Sequence, residues 1–194
     1  MRILFVCTGN TCRSPMAEGM LRKLAKERGL DVEVRSAGVA AAEGIQISYH
    51  AEGVLRDHEI HDRITSTPLR AELTEWADLI LTLTQGHKRQ VIQVFPDAAG
   101  KTYTLKEYVE DDERVLEDLK ELDSLLAARE LNMSLGQPFS EADAERIIEL
   151  RQRIPVYDIS DPFGGSREDY DRTAAEIRTA LDKLLDMLKR DGSQ

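Results

Sequence analysis

Residues 2–14 read Arg2-Ile3-Leu4-Phe5-Val6-Cys7-Thr8-Gly9-Asn10-Thr11-Cys12-Arg13-Ser14, and Pro15 follows. The run Ile3 to Val6 is apolar without alternation, the pattern of a strand buried on both faces. It predicts a strand over Arg2 to Cys7. Pro15 stands where a first helical residue would, since its missing N–H costs nothing there. The segment is therefore strand, loop and helix. Such a loop sets a cysteine among backbone N–H groups at a helix N-terminus, which is an anion site. The helix dipole and Arg13 both favour thiolate over thiol. A phosphate held there lies against a nucleophile, so the segment points to covalent phosphoryl transfer through cysteine.

Outward from this stretch, strand and helix alternate. Met16, Met20, Leu21, Leu24 and Ala25 form a helical stripe that ends near Gly29. Val32 to Val34 opens a second strand that runs into Ser36-Ala37-Gly38. Helices are predicted over Tyr49 to His58, over Leu69 to Trp76 and over His87 to Phe95, the last stopped by Pro96. Strands are predicted over Ala77 to Leu83 and Lys101 to Leu105. A final helix, Glu168 to Lys189, carries Ala174, Ile177, Leu181, Leu184, Leu185 and Leu188 on one face. The alternation implies a parallel sheet with helices on both faces, and a ligand site at the carboxyl end of its strands.

Residues 110–158 break the rhythm. Val115, Leu116, Leu119, Leu122, Leu125 and Leu126 repeat at helical spacing, and a break follows at Asn132 to Pro138. Ser140, with Asp143 three positions on, is a helix cap. A second amphipathic run then reaches Pro155. The segment reads as a helical hairpin inserted in a single domain of residues 1–190.

The chain has 194 residues, 26 Lys and Arg against 36 Asp and Glu, and a net charge of −10. Nucleic acid is disfavoured as a partner, since it needs a basic face. No stretch approaches membrane-spanning length and the first apolar run is too short for a signal peptide, so no membrane association is expected. The two cysteines, Cys7 and Cys12, make no disulfide framework. A reducing cytoplasm is the expected setting. The four histidines lack metal-site spacing, so neither metal nor cofactor is expected.

Within the loop, Cys7 is the candidate nucleophile. Arg13 offers a planar fork of donors to the equatorial oxygens of a transferring phosphoryl group. Gly9 allows close backbone approach or a positive φ, and Asn10 tolerates a left-handed conformation while bonding its own loop. Ser14 either donates to the Cys7 thiolate or caps the helix before Pro15, or both. Cys12 has two readings: a redox partner that protects Cys7, or a small packing residue. Thr8 and Thr11 complete the wall.

A thiolate nucleophile needs an acid for the leaving atom. Asp161, in Asp161-Pro162-Phe163-Gly164-Gly165, is the candidate. Proline stiffens the chain beside it, the glycines allow a sharp loop, and Phe163 can wall a pocket.

Together the two motifs resemble the low-molecular-weight protein-tyrosine phosphatase family. Ser36-Ala37-Gly38-Val39 and Ala77-Asp78-Leu79-Ile80-Leu81-Thr82 are similar to it as well. The resemblance spans residues 1–109 and 159–190. It implies an α/β three-layer sandwich with a four-stranded parallel sheet, here with the hairpin inserted. It also implies no metal and a phosphocysteine intermediate hydrolysed by water. By position Cys7 is the nucleophile, Arg13 the phosphate clamp, and Asp161 the acid and then the base. Threonine at position 11 is similar to the bacterial protein-arginine phosphatase branch, where tyrosine-directed members carry an aliphatic residue. Residues 8–18, 161–166 and Leu105 to Val109 also resemble that branch. A hydroxyl suits a polar guanidino group, whereas an apolar side chain suits a flat ring.

The expected activity is hydrolysis of phosphoarginine in phosphorylated protein substrates. A tyrosine phosphatase is the alternative, and a phosphate-binding adaptor without turnover is a third reading. An arsenate reductase would need further cysteines after Cys12. The 110–158 hairpin serves as a lid, as a docking site for a partner, or as inert length.

Overall fold

The computed structural model describes residues 1–191. The four strands among them are β1 (Arg2–Cys7), β2 (Glu33–Gly38), β3 (Leu79–Thr82) and β4 (Thr102–Thr104). They pair in parallel in the order β2-β1-β3-β4. The apolar run of the first segment explains why β1 is central. Ile3, Phe5 and Cys7 face one hydrophobic layer, Leu4 and Val6 the other, and Ile3 through Val6 are wholly buried.

The first layer is closed by α1 (Arg13–Glu27), α2 (Tyr49–Asp57), α5 (Leu105–Tyr108) and the long α8 (Arg167–Asp191). The second is closed by α3 (Ala71–Trp76) and α4 (Gln85–Val94). The result is the expected three-layer α/β sandwich. From β1 the chain moves to β2 on one side, then crosses to β3 on the other. The carboxyl end of β1 is thus the switch point where ligands bind in open parallel sheets.

Several local boundaries differ from the sequence reading, among them that of β3, whose expected start at Ala77 is instead the end of α3. Helix α1 opens at Arg13, with Cys12 at its N-cap. Pro15 is therefore its third residue, still among the positions whose N–H has no partner within the helix. Ser14 lies inside the helix and does not cap it. Pro96–Lys101 forms a 3₁₀ turn where a plain break was expected. Leu105, read as a strand end, instead opens α5 through a reciprocal cap. The Thr104 hydroxyl accepts from the Glu107 N–H at 3.1 Å, and the Glu107 carboxylate accepts from the Thr104 N–H at 3.1 Å.

The described chain falls into two compact units, Met1–Val109 together with the residues from Tyr157 on, and Glu110–Val156. The second holds α6 (Glu113–Ser134) and α7 (Glu141–Arg153), which make the expected hairpin. Asp112 caps α6 at the Arg114 N–H, and Ser140 caps α7 at the Asp143 N–H. Gly136, at φ +64°, turns the chain after α6. Arg146 then forks onto Glu121 at 2.7 and 2.8 Å, and Arg153 meets Asp118 at 3.0 Å. No helix among the described residues is long and apolar enough to cross a membrane.

Candidate active site

The loop after β1 is held by buried polar contacts before any ligand is considered. Asn10 is wholly buried and adopts φ +54°. Its amide nitrogen donates to the Ser14 and Ser36 hydroxyls, each at 2.8 Å, and its oxygen accepts from the Thr67 N–H at 2.7 Å. The left-handed residue of the loop is thus Asn10. Gly9 has no positive φ, against one of the two uses foreseen for it, and a side chain there would meet only Thr11 at 3.6 Å. The glycine that the packing demands is Gly38, at the end of β2. A Cβ there would strike the Thr8 carbonyl and sit 2.9 Å from the Asn10 nitrogen.

Cys7 closes β1 and is buried, with its sulfur 3.0 Å from the Ser14 hydroxyl. That hydroxyl already accepts from Asn10, so its own hydrogen is free to be donated. The candidates are the Cys7 sulfur and the more distant Ala37 carbonyl, at 3.4 Å. With Cys7 as thiolate, serine is the only group of the two that can donate. Ser36 in turn donates to the buried Glu18 carboxylate, which also pairs with Arg22. Burial pushes the Glu18 carboxyl above its ordinary range, and the Ser36 and Arg22 contacts oppose that shift.

Arg13, from the first turn of α1, is 7% exposed in its side chain. One guanidinium nitrogen donates to the Ile159 carbonyl at 3.4 Å, and the other meets Asp161 Oδ2 at 3.0 Å. The Asp161 loop is fixed to the sheet just upstream. The Ile159 N–H donates to the Leu83 carbonyl at 2.8 Å, and Asp158 caps α4 at the Gln85 N–H, at 2.7 Å. The sharp turn expected from the two glycines is present. Gly164 has φ +74°, a Cβ on Gly165 would strike Asp169 at 2.6 Å, and Asp161 Oδ1 accepts from the Phe163 N–H at 3.2 Å.

Cys7, Thr8, Gly9, Thr11, Cys12, Arg13, Asp161 and Phe163 line one pocket of about 270 Å³. Asn10 and Ser14 lie behind it as supports. Phe163 is 79% exposed, so its ring stands at the mouth and encloses little. Both cysteines are free. The Cys12 sulfur faces the Tyr170 hydroxyl at 3.2 Å and the Ser48 hydroxyl at 3.6 Å, a packing position against α8 and α2. Among the described residues no group of three or more His, Cys, Asp or Glu is placed to ligate a metal.

Sequence reasoning missed two neighbours of this loop. His87, third residue of α4, reaches Thr8 through Nε2 at 2.9 Å. Burial first, and the Arg13 charge second, push its pKa down to about 4, while Asp161 and Asp158 pull the other way. Tyr170 reaches Cys12 from α8. Each lies far from the loop in sequence, and neither spacing nor periodicity marks it.

The matching family model is that of the low molecular weight phosphotyrosine protein phosphatases, over residues 2–121. The chain belongs to this family. It is 36% identical over 190 residues to a protein-arginine-phosphatase of Geobacillus stearothermophilus, covering 98% of this chain and 97% of that one. The identity is also 36%, over 191 residues, with a protein-arginine-phosphatase of Bacillus subtilis, covering 98% and 99%. Among solved structures it is similar to a C7S mutant of the YwlE arginine phosphatase with a phosphorylated active site serine. That match has a TM-score of 0.73 at 34% identity and covers 98% of this chain and 97% of that one.

Proposed function

We propose that this chain is a protein phosphatase that hydrolyses phosphoarginine in proteins through a phosphocysteine intermediate on Cys7. The observation that carries the reading is the meeting of Cys7, Arg13 and Asp161 in one pocket, from three separate parts of the fold. The relatives named protein-arginine-phosphatase support the choice of substrate.

In the first step the Cys7 sulfur attacks phosphorus and the N–P bond breaks. The Arg13 fork meets the equatorial oxygens, where charge accumulates. Binding of the phosphoryl group takes Arg13 away from Asp161 and leaves that carboxyl free to carry a proton. Asp161 gives this proton to the departing guanidino nitrogen. In the second step water attacks the phosphocysteine. Asp161 takes its proton, phosphate leaves, and the thiolate returns. Thr11, on the pocket wall, favours a polar guanidino group over a flat ring.

A tyrosine phosphatase is the second reading, favoured by the exposed Phe163 ring at the mouth, which offers a stacking surface to a phenol ester. We place the enzyme in the cytoplasm, consistent with two free thiols. Residues 110–158 are read as a helical insertion in one phosphatase domain, serving as a lid, as a docking site for a partner, or as inert length. The deciding experiment compares hydrolysis of one peptide carrying phosphoarginine with its phosphotyrosine counterpart, with Cys7→Ser as control. Preference for phosphoarginine supports the proposal. Preference for phosphotyrosine keeps the mechanism and replaces the substrate.

A further inference from the structure

His87 and Thr8 are a bonded pair at the pocket that the mechanism above leaves unused. Thr8 is exposed and lines the pocket beside Cys7. His87 is only 5% exposed and lies on the protein side of Thr8. Its backbone is fixed by the Thr84 cap, whose hydroxyl accepts from the His87 N–H at 3.1 Å. Its Nε2 lies 2.9 Å from Thr8 Oγ1. Its Nδ1 is buried and makes no hydrogen bond to the described residues.

This geometry selects a tautomer. A neutral imidazole carries one proton, on Nδ1 or on Nε2. A proton on Nδ1 would be a buried N–H without an acceptor, the rarer and costlier kind of orphan. A proton on Nε2 leaves Nδ1 as a bare lone pair and gives Thr8 a donor. The Arg13 charge nearby further disfavours a second proton, and burial keeps the ring neutral. Thr8 Oγ1 then accepts from His87, so its own hydrogen is not spent on the ring. That hydrogen is left to point into the pocket, where an anion needs donors. The opposite tautomer would turn the Thr8 lone pairs toward the anion.

We infer that His87 is a positioning residue: as the neutral Nε2–H tautomer it orients the Thr8 hydroxyl to donate to a phosphoryl oxygen in the pocket. The inference rests on the reading of this pocket as a phosphoryl site. It gives Thr8 the role of a further oxyanion donor beside Arg13.

The test uses the full chain and inorganic phosphate as the probe. Binding is measured for the wild type, Thr8→Val, His87→Leu, His87→Gln and the double variant Thr8→Val/His87→Leu. Nitrogen NMR of histidine-labelled wild type reads the His87 tautomer directly, whether or not a variant folds. Loss of one hydrogen bond to a charged group predicts phosphate binding about tenfold weaker in Thr8→Val and somewhat less affected in His87→Leu. The double variant should match Thr8→Val within about twofold, because the histidine acts through the threonine. His87→Gln, whose amide can still donate, should recover most of the affinity. Independent effects that multiply in the double variant would overturn the inference. So would unchanged binding in Thr8→Val, or a proton found on Nδ1. A wild-type chain that binds no phosphate would instead remove the phosphoryl reading of the pocket, and this inference with it.

Discussion

Arg13 and Asp161, 148 positions apart in sequence, hold an ion pair in which the two ends see different surroundings. The guanidinium side chain is 7% exposed and the carboxylate side chain 56%. The cation is locked into the pocket wall, while the anion stands mostly in water, where such a pair contributes little. A phosphoryl dianion can therefore replace Asp161 as the partner of Arg13.

Asp161→Asn should lower kcat on a phosphoarginine peptide by about 10²- to 10⁴-fold, the usual worth of a positioned acid. The same variant removes a negative charge facing Arg13, so inorganic phosphate should inhibit it more strongly than the wild type. Steady-state kinetics with added phosphate check both. Weaker phosphate inhibition would contradict the competition between carboxylate and phosphate for Arg13.

Cys7→Ser should abolish turnover. A hydroxyl is a far weaker nucleophile near neutral pH than a thiolate. Phosphate release from the peptide measures this, and full retained activity would sink the covalent mechanism.

Thr11→Ile should move preference from phosphoarginine toward phosphotyrosine, because it trades a hydroxyl for an apolar surface on the pocket wall. The ratio of kcat/KM on the paired peptides reports it. An unchanged ratio removes Thr11 as the origin of specificity.

The sequence made the Cys7-to-Ser14 loop legible because its parts are local. A buried strand, a cysteine, an arginine and a helix start fall within a few residues of one another. Asp161 was readable from its Pro-Phe-Gly-Gly surroundings. The groups that hold the loop were not. Asn10 finds Ser36 and Thr67 across the sheet end, and His87 reaches Thr8 over 79 positions. Gly38 is needed because the Thr8 carbonyl packs on it, a contact that exists only once β1 and β2 pair. One local signal was overlooked. Thr104 with Glu107 three residues later is a capping box, and it marks the helix whose first residue, Leu105, reads as the end of a strand.

Stability should carry a signature of His87. Its pKa lies near 4 in the folded chain against an ordinary 6.5, with Arg13 acting to lower it and Asp158 and Asp161 to raise it. As pH falls from about 6.5 to 4, the unfolded chain binds a proton that the folded chain refuses. This contribution to stability is therefore full above the unfolded value, falls across that window and levels off below it. Denaturant midpoints against pH, compared with His87→Gln, isolate the effect. The variant should show a flatter slope between pH 4 and 6.5, and an equal slope would place the histidine proton elsewhere.

Asn10→Ala should destabilise the chain by about 2–4 kcal/mol, because it strips the wholly buried Asn10 of its bonds to Ser14, Ser36 and the half-buried Thr67 N–H and forces alanine into a left-handed conformation. Chemical denaturation measures the loss. A change under about 0.5 kcal/mol would mean that the loop keeps its shape without Asn10.

Because Asn10 closes the loop upon the fold itself, the shape of the cradle is set by the chain's own groups. Its order is settled during folding and not by the guest. On the proposed reading, released phosphate faces the same ready cradle as the next substrate. Throughput then follows the ratio of the two in the surrounding solution, and the phosphate level of the cell becomes a brake that the enzyme cannot disengage.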